Sequence, residues 1–219
     1  MYWIEDDDQE RAKVPDDVID VAFDIRCRAL PVDHAWALSE AIHAALPWFA
    51  EEPLAGMHLF HGADSGNGWY RPDEADDLVY LSKRTKLVLR LPKARLPEAE
   101  RLSGQKLEVA GNTIEVGKAT VRLLSELTSL YARHVVSDAE QSEDEFLEQM
   151  VAQLRQMGVS FKKVLCGKIN RFKLPDGELI TRSLLVADLR IDDAIKLQEQ
   201  GLGSHRKLGC GLFIPHKKV

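Results

Sequence analysis

Apolar and polar residues alternate along DVIDVAFDIRCRAL (17–30), with Val21, Phe23, Ile25 and Cys27 on one side, the period of a half-buried strand closed by Pro31. Asp33 is then placed to cap a helix through HAWALSEAIHAAL, which Pro47 stops. Strands are predicted at AGMHLFHG (55–62) and KLVLRLP (86–92), separated by the loop ADSGNGWYRPDEADD, whose glycines, proline and acids suit no regular element. KARLPEAERLSG (93–104) reads as a short helix ending at Gly104. KLEVAGNTIEVG (106–117) reads as a last strand or a hairpin turning at Gly111-Asn112. The order β-α-β-β-α-β is the ferredoxin-like arrangement, an antiparallel sheet with both helices on one face.

The remainder repeats that order without repeating the residues. TVRLLSELTSLYARHVV (120–136) contains a strand, and SEDEFLEQMVAQLRQMG (142–158) is a capped helix with Phe146, Met150, Leu154 and Met157 along one face. SFKKVLCGKINRFKLPDGELITRSLLVADL (160–189) folds about the turn Pro175-Asp176-Gly177, and DDAIKLQEQG (192–201) makes a final helix. The expected fold is therefore α+β, two tandem ferredoxin-like, RRM-like domains with antiparallel sheets. The domains are placed at 1–118, including an acidic leader, and 119–219, including a glycine-rich loop.

The 219 residues suffice for one large core or two small ones. No window holds the roughly 18 uninterrupted apolar residues of a membrane span, and the N-terminus is acidic where a secretory signal is basic and then apolar. A cytoplasmic protein with no membrane partner is expected. Cys27, Cys166 and Cys210 are odd in number and never paired as Cys-x-x-Cys, which suggests neither a disulfide framework nor a strong zinc site. His205, Cys210, His216 and Cys166 match no common zinc spacing.

The net charge of -6 would disfavour a nucleic-acid partner, but the charge is regional. Residues 1–20 carry eight acids against Arg11 and Lys13, whereas residues 161–219 carry twelve Lys or Arg against six Asp or Glu. SKRTKLVLRLPKAR (82–95) has six cations and no acid, and KKVLCGKINRFK (162–173) has five, including Lys168 and Arg171, with Phe172 as a ring on which a base could stack.

The C-terminal stretch GLGSHRKLGCGLFIPHKKV (201–219) has two Gly-x-Gly pairs. It is no P-loop, since no Gly-Lys-Ser/Thr stands at the required spacing, and no dinucleotide fingerprint, since no β-α-β unit follows. It reads either as a tight hairpin closing the last strand or as a loop whose amides, with Arg206 and Lys207, contact a phosphodiester backbone. Of the seven histidines, His43 lies at the edge of the apolar stripe Ala35, Leu38, Ile42, Ala45, Leu46 and Phe49, beside Trp36 and Ser39, where a small shift moves its pKa near neutrality. His58 and His61 face opposite sides of a strand and read as structural. Acid-base chemistry on an anionic polymer needs only such a histidine and stabilising cations.

Taken in order, MYW-EDDD, CRALPVDHAWALSEAI, SGNGWYRP, LSKRTKLVLRLPKAR, LCGKI, PDGELITRSLLVADL and QGLG...LGCGLFIPHK resemble the repeat-processing endoribonucleases of CRISPR systems, in the RAMP superfamily, of the variety attached to subtype I-MYXAN systems. The resemblance runs over nearly the whole chain. It implies two RRM-like domains and metal-independent cleavage of the repeat in precursor CRISPR RNA, with no cofactor. The upstream 2′-hydroxyl attacks phosphorus and leaves a 2′,3′-cyclic phosphate and a 5′-hydroxyl. It implies His43 as the key histidine and His34, on the opposite flank of the same helix, as second choice. Ser39, Tyr70, Cys166 and Lys168 are unranked auxiliaries. Gly201, Gly203, Gly209 and Gly211 form the family's RNA-holding loop, with Arg206 and Lys207 on phosphate and the basic strand adding Lys83, Arg84 and Lys86. The acidic helix 142–158 lacks the arginine row that some relatives insert into the repeat hairpin. Other effector-complex subunits are possible partners, and a non-catalytic RNA-binding subunit is the alternative function.

Overall fold

In the computed structural model, residues 14–61 and 78–216 are described. Most of the acidic leader and the loop carrying Tyr70 lie outside them. The first half contains β1 (Val18–Arg26), β2 (Ala29–Pro31), α1 (Ala35–Ala45), β3 (Gly56–His58), β4 (Leu78–Tyr80), β5 (Lys86–Pro92), α2 (Leu96–Ala99) flanked by 3₁₀ turns, β6 (Lys106–Val109) and β7 (Asn112–Arg122). Its antiparallel sheet runs β3-β5-β1-β7-β6. Without the edge strand β6, this is the ferredoxin-like arrangement. The second half supplies β8 (Leu130–Val136), α3 (Glu143–Gln156), β9 (Lys163–Leu174), β10 (Gly177–Ala187), α4 (Ile191–Gln200) and β11 (Ile214–Pro215), in the order β11-β8-β10-β9. Both halves thus place their first and third ferredoxin strands at the centre, flanked by the fourth and the second. Strand β7 continues past residue 118 to Arg122 before the link to β8.

The alternating residues of β1 and β5 bury Val21, Phe23, Leu87, Leu89 and Leu91 against Leu38 and Ile42 of α1 and Leu46 at its C-terminal end. In the second core, Phe146, Met150 and Leu154 of α3 and Ala194 and Leu197 of α4 cover Leu184 and Val186. Helix α3 begins at a complete capping box, Ser142 with Glu145. No described helix is long and apolar enough to cross a membrane.

Three local expectations change. The strand foreseen over 17–30 is broken after Arg26, and β2 pairs with β4 instead of the main sheet. Apolar alternation continues through the break because both pieces are half-buried. Asp33 does not cap α1, whose N-cap is His34. Its Oδ2 accepts a 2.6 Å bond from the Lys173 amide of β9 instead, so it ties the halves together. The last strand shrinks to two residues paired with Leu130 and Tyr131.

The halves meet at a small core of Ala35, Phe172, Leu179, Leu208 and Cys210. Beside it, Arg90 of β5 is 1% exposed and forks onto Asp20 of β1 at 2.8 and 2.9 Å. Its remaining nitrogen, Nη1, donates to the carbonyls of Gln198 and Phe213 in the second half.

Candidate active site

Helix α1 carries His43 in its last turn, where the Pro47–Phe49 3₁₀ turn folds back and sets the Phe49 ring 5.9 Å from the imidazole. The side chain is 27% exposed, with Glu40 Oε1 3.8 Å from Nδ1. Its Nε2 is buried and has no hydrogen-bond partner among the described residues. Burial pushes the His43 pKa below the ordinary imidazole value, the Glu40 carboxylate opposes that, and the Lys207 ammonium lowers it further. Starting from about 6.5, the ring is neutral at pH 7 and can accept a proton.

Lys207 arrives from the C-terminal loop. Its Nζ stands 5.0 Å from the Phe49 ring and donates to the carbonyls of Glu52 and Ala55. Burial, then the neighbouring Arg206 charge, lowers its pKa to about 8. His43 and Lys207 therefore share one aromatic ring, although they come from opposite ends of the chain. Arg95 lies 5.1 Å over the adjoining Trp48 ring and contacts Glu52 at 3.4 Å.

Several sequence candidates are placed elsewhere. His34 is buried, with Nδ1 2.8 Å from the Pro31 carbonyl and Nε2 accepting from the Phe60 amide at 3.2 Å. Both ring nitrogens are occupied in holding α1 to its flanks, which is a correction to its reading as a second catalytic choice. Ser39 is likewise buried within α1 and cannot meet a substrate there. Burial, then Glu143, raises the Cys166 pKa and so favours the protonated thiol; its side chain packs on the second core. Phe172 is buried 4.7 Å from the His134 ring, so it offers no face to a base.

Arg206 also departs from its expected phosphate contact. Its guanidinium is buried and donates to the carbonyls of Gln200, Glu199 and Leu54 at 2.6, 3.0 and 2.9 Å. Burial and the Arg90 charge bring its pKa down to about 10. It closes the end of α4 and rivets it to the first half. Lys207 is occupied by carbonyls in the same way, and Lys86 is paired with Asp24. Lys83 and Arg84 are exposed in the turn before β5, while Lys168 and Arg171 are exposed on the edge strand β9, Arg171 lying 3.6 Å from Glu178.

The glycine loop folds closely upon itself, with Leu202 and Gly211 joined through N–H and carbonyl at 3.1 Å. A Cβ at Gly211, where φ is +69°, would stand 2.2 Å from the Leu202 carbonyl oxygen, and one at Gly201 2.2 Å from Arg206 Nη1. The backbone at these two positions approaches the protein's own chain. Gly203 and Gly209 complete the turn, Gly209 against Leu59. Replacing Gly211 with Ala is expected to cost about 1–3 kcal/mol in a urea unfolding curve, because neither the positive φ nor the carbonyl can give way. An unchanged midpoint would show that the loop relaxes freely.

Glu40 was not among the sequence candidates, although its place three residues before His43 on one helix is a signal that could have found it. Lys207 and Phe49 as His43's companions had no such signal, because no local period links them.

Two antiparallel ferredoxin-like sheets follow one another along the chain, and a folded glycine loop precedes the last strand of the second. A solved structure titled as a RAMP protein binding different RNA substrates superposes with a TM-score of 0.61 at 14% identity, covering 91% of this chain and all of that one. A solved CRISPR-associated Cas6 protein gives 0.64 at 15% identity, again over 91% and 100%. These likenesses establish the fold. The family model described as Cas6 Crispr matches residues 19–218, and the chain belongs to the Cas6 family. A curated relative, the CRISPR-associated endonuclease Cas6 of Myxococcus xanthus (strain DK1622), is 26% identical over 197 residues, 90% of this chain and 81% of that protein.

Proposed function

We propose that this protein cuts the repeat of precursor CRISPR RNA by metal-independent transesterification, with His43 moving the proton. Membership of the Cas6 family supports the coarse part of that reading, a CRISPR-associated endoribonuclease acting on repeat RNA. The observation that carries the finer part is the partly exposed imidazole of His43, kept neutral because burial of part of the ring lowers its pKa, near the half-buried ammonium of Lys207. His43 takes the proton of the 2′-hydroxyl as its oxygen attacks phosphorus. The bond from phosphorus to the 5′-oxygen breaks, that oxygen takes a proton from solvent and leaves as a 5′-hydroxyl, and the His43 imidazolium returns its proton to solvent. A 2′,3′-cyclic phosphate remains upstream. Lys83, Arg84, Lys168 and Arg171, exposed and cationic, hold the RNA backbone, and the glycine loop sets the position of Lys207 relative to His43.

The test is to incubate repeat RNA with the protein in excess chelator and map the ends. Cleavage should persist with cyclic phosphate termini, and one 2′-deoxy substitution upstream of the cut should abolish it. Loss of cleavage on chelation, or a 3′-hydroxyl product, would overturn the mechanism. RNA retained but never shortened would make the protein a binding subunit.

A further inference from the structure

Beside the first sheet, two neighbouring segments of the chain carry cations and an exposed ring. Residues 24–29 run antiparallel to residues 80–86. Asp24 is in register with Lys86, the Leu81 amide donates to the Arg28 carbonyl at 3.0 Å, and Ala29 is paired with Tyr80. In β4 only Val79 is buried, leaving Leu78 and Tyr80 at 44% and 65% exposure on the outer side. Arg26, Arg28, Lys83 and Arg84 are all exposed there. The Lys83-Arg84 turn is held in shape by Ser82 and Thr85, with the Arg84 amide on Ser82 Oγ at 3.2 Å and the Thr85 amide on the Ser82 carbonyl at 3.0 Å.

Among the described residues, none of these four cations has an ion-pair partner. The two carboxylates nearest in register, Asp24 and Glu115, are taken by Lys86 and, at 3.4 Å, by Lys106. Four such cations on the two segments that also carry a solvent-facing aromatic ring match a flexible polyanion with flat bases. A duplex keeps its bases stacked on one another, so a lone ring selects unpaired nucleotides.

We propose that Tyr80, Leu78, Arg26, Arg28, Lys83 and Arg84 form a binding site for an unpaired segment of the RNA substrate, away from the scissile phosphate. The site rests on the reading of this chain as an RNA-processing protein, and it adds what holds the flank of the repeat. Strand β2 leads directly into the start of α1, whereas His43 lies about 12 Å further along that helix at 1.5 Å per residue. The site therefore contributes to holding RNA and not to proton transfer.

Single-turnover cleavage of repeat RNA across a series of protein concentrations separates the two. Tyr80→Ala should raise the half-saturating concentration about tenfold, the effect of removing one stacked base, with the plateau rate unchanged. Tyr80→Phe should behave as wild type, since the ring and not the hydroxyl stacks. Trimming the unpaired flanks from the RNA should abolish the difference between Tyr80→Ala and wild type. The double variant Arg28→Ala/Lys83→Ala should lessen the salt dependence of binding by about 0.7 in log-log slope for each phosphate it no longer neutralises. An unchanged half-saturation for Tyr80→Ala, or a deficit that persists on trimmed RNA, overturns the site while leaving the cleavage reading intact. Failure of the wild-type protein to bind or cut repeat RNA overturns both.

Discussion

His43→Ala is expected to slow repeat cleavage by about 10²- to 10⁴-fold, the usual contribution of a positioned acid-base group. The half-saturating protein concentration should hardly move, because the exposed cations lie on other elements. The pH profile gives an independent reading. Since the folded His43 pKa lies below the ordinary value, the active neutral form persists below pH 6.5, and the acid limb of the rate should fall there. Glu40 raises that pKa, so Glu40→Gln should shift the limb to still lower pH. A limb that moves upward, or full activity in His43→Ala, would remove the assignment.

Arg90→Met is expected to destabilise the fold by about 3 kcal/mol, read as a lower urea midpoint. That figure is the low end of the range for a broken buried pair, because Asp20 keeps 18% exposure. The substitution strands the Asp20 carboxylate and frees the carbonyls of Gln198 and Phe213. Burial would raise the Asp20 pKa, but Arg90 and His58 outweigh it and hold the carboxyl well below the usual carboxylate range. A depressed folded pKa contributes stability that is present above the unfolded value near 3.9 and is lost as pH falls below it. As pH falls below about 4, Arg90→Met should therefore lose less further stability than wild type. The double variant Asp20→Asn/Arg90→Met should recover part of the midpoint, and no recovery would mean that the carbonyl bonds dominate.

What was readable in the chain was local. Alternation located β1 and β5, the capping box and the row Phe146, Met150 and Leu154 located α3, and Pro-Asp-Gly located the β9–β10 turn. These signals depend on neighbours within a few residues, and so did the position of His43 at the edge of an apolar stripe. Their order was enough to expect two ferredoxin-like halves, and both are present.

The tertiary structure decided which charged groups remain available. Arg206 and Lys207 look like surface cations in Ser-His-Arg-Lys, yet carbonyls from the loop after α1 and from the end of α4 close over them. Arg90 alternates in phase with the half-buried Lys86 and Val88 but is sealed against the second half, and His34, adjoining α1, has both nitrogens occupied. Lys83 and Arg84 occur in the same basic run as Arg90 and remain in solvent. A sequence period records which side of an element is apolar. Whether a cation on the other side meets water, a carboxylate or a row of carbonyls depends on segments that only folding brings to it.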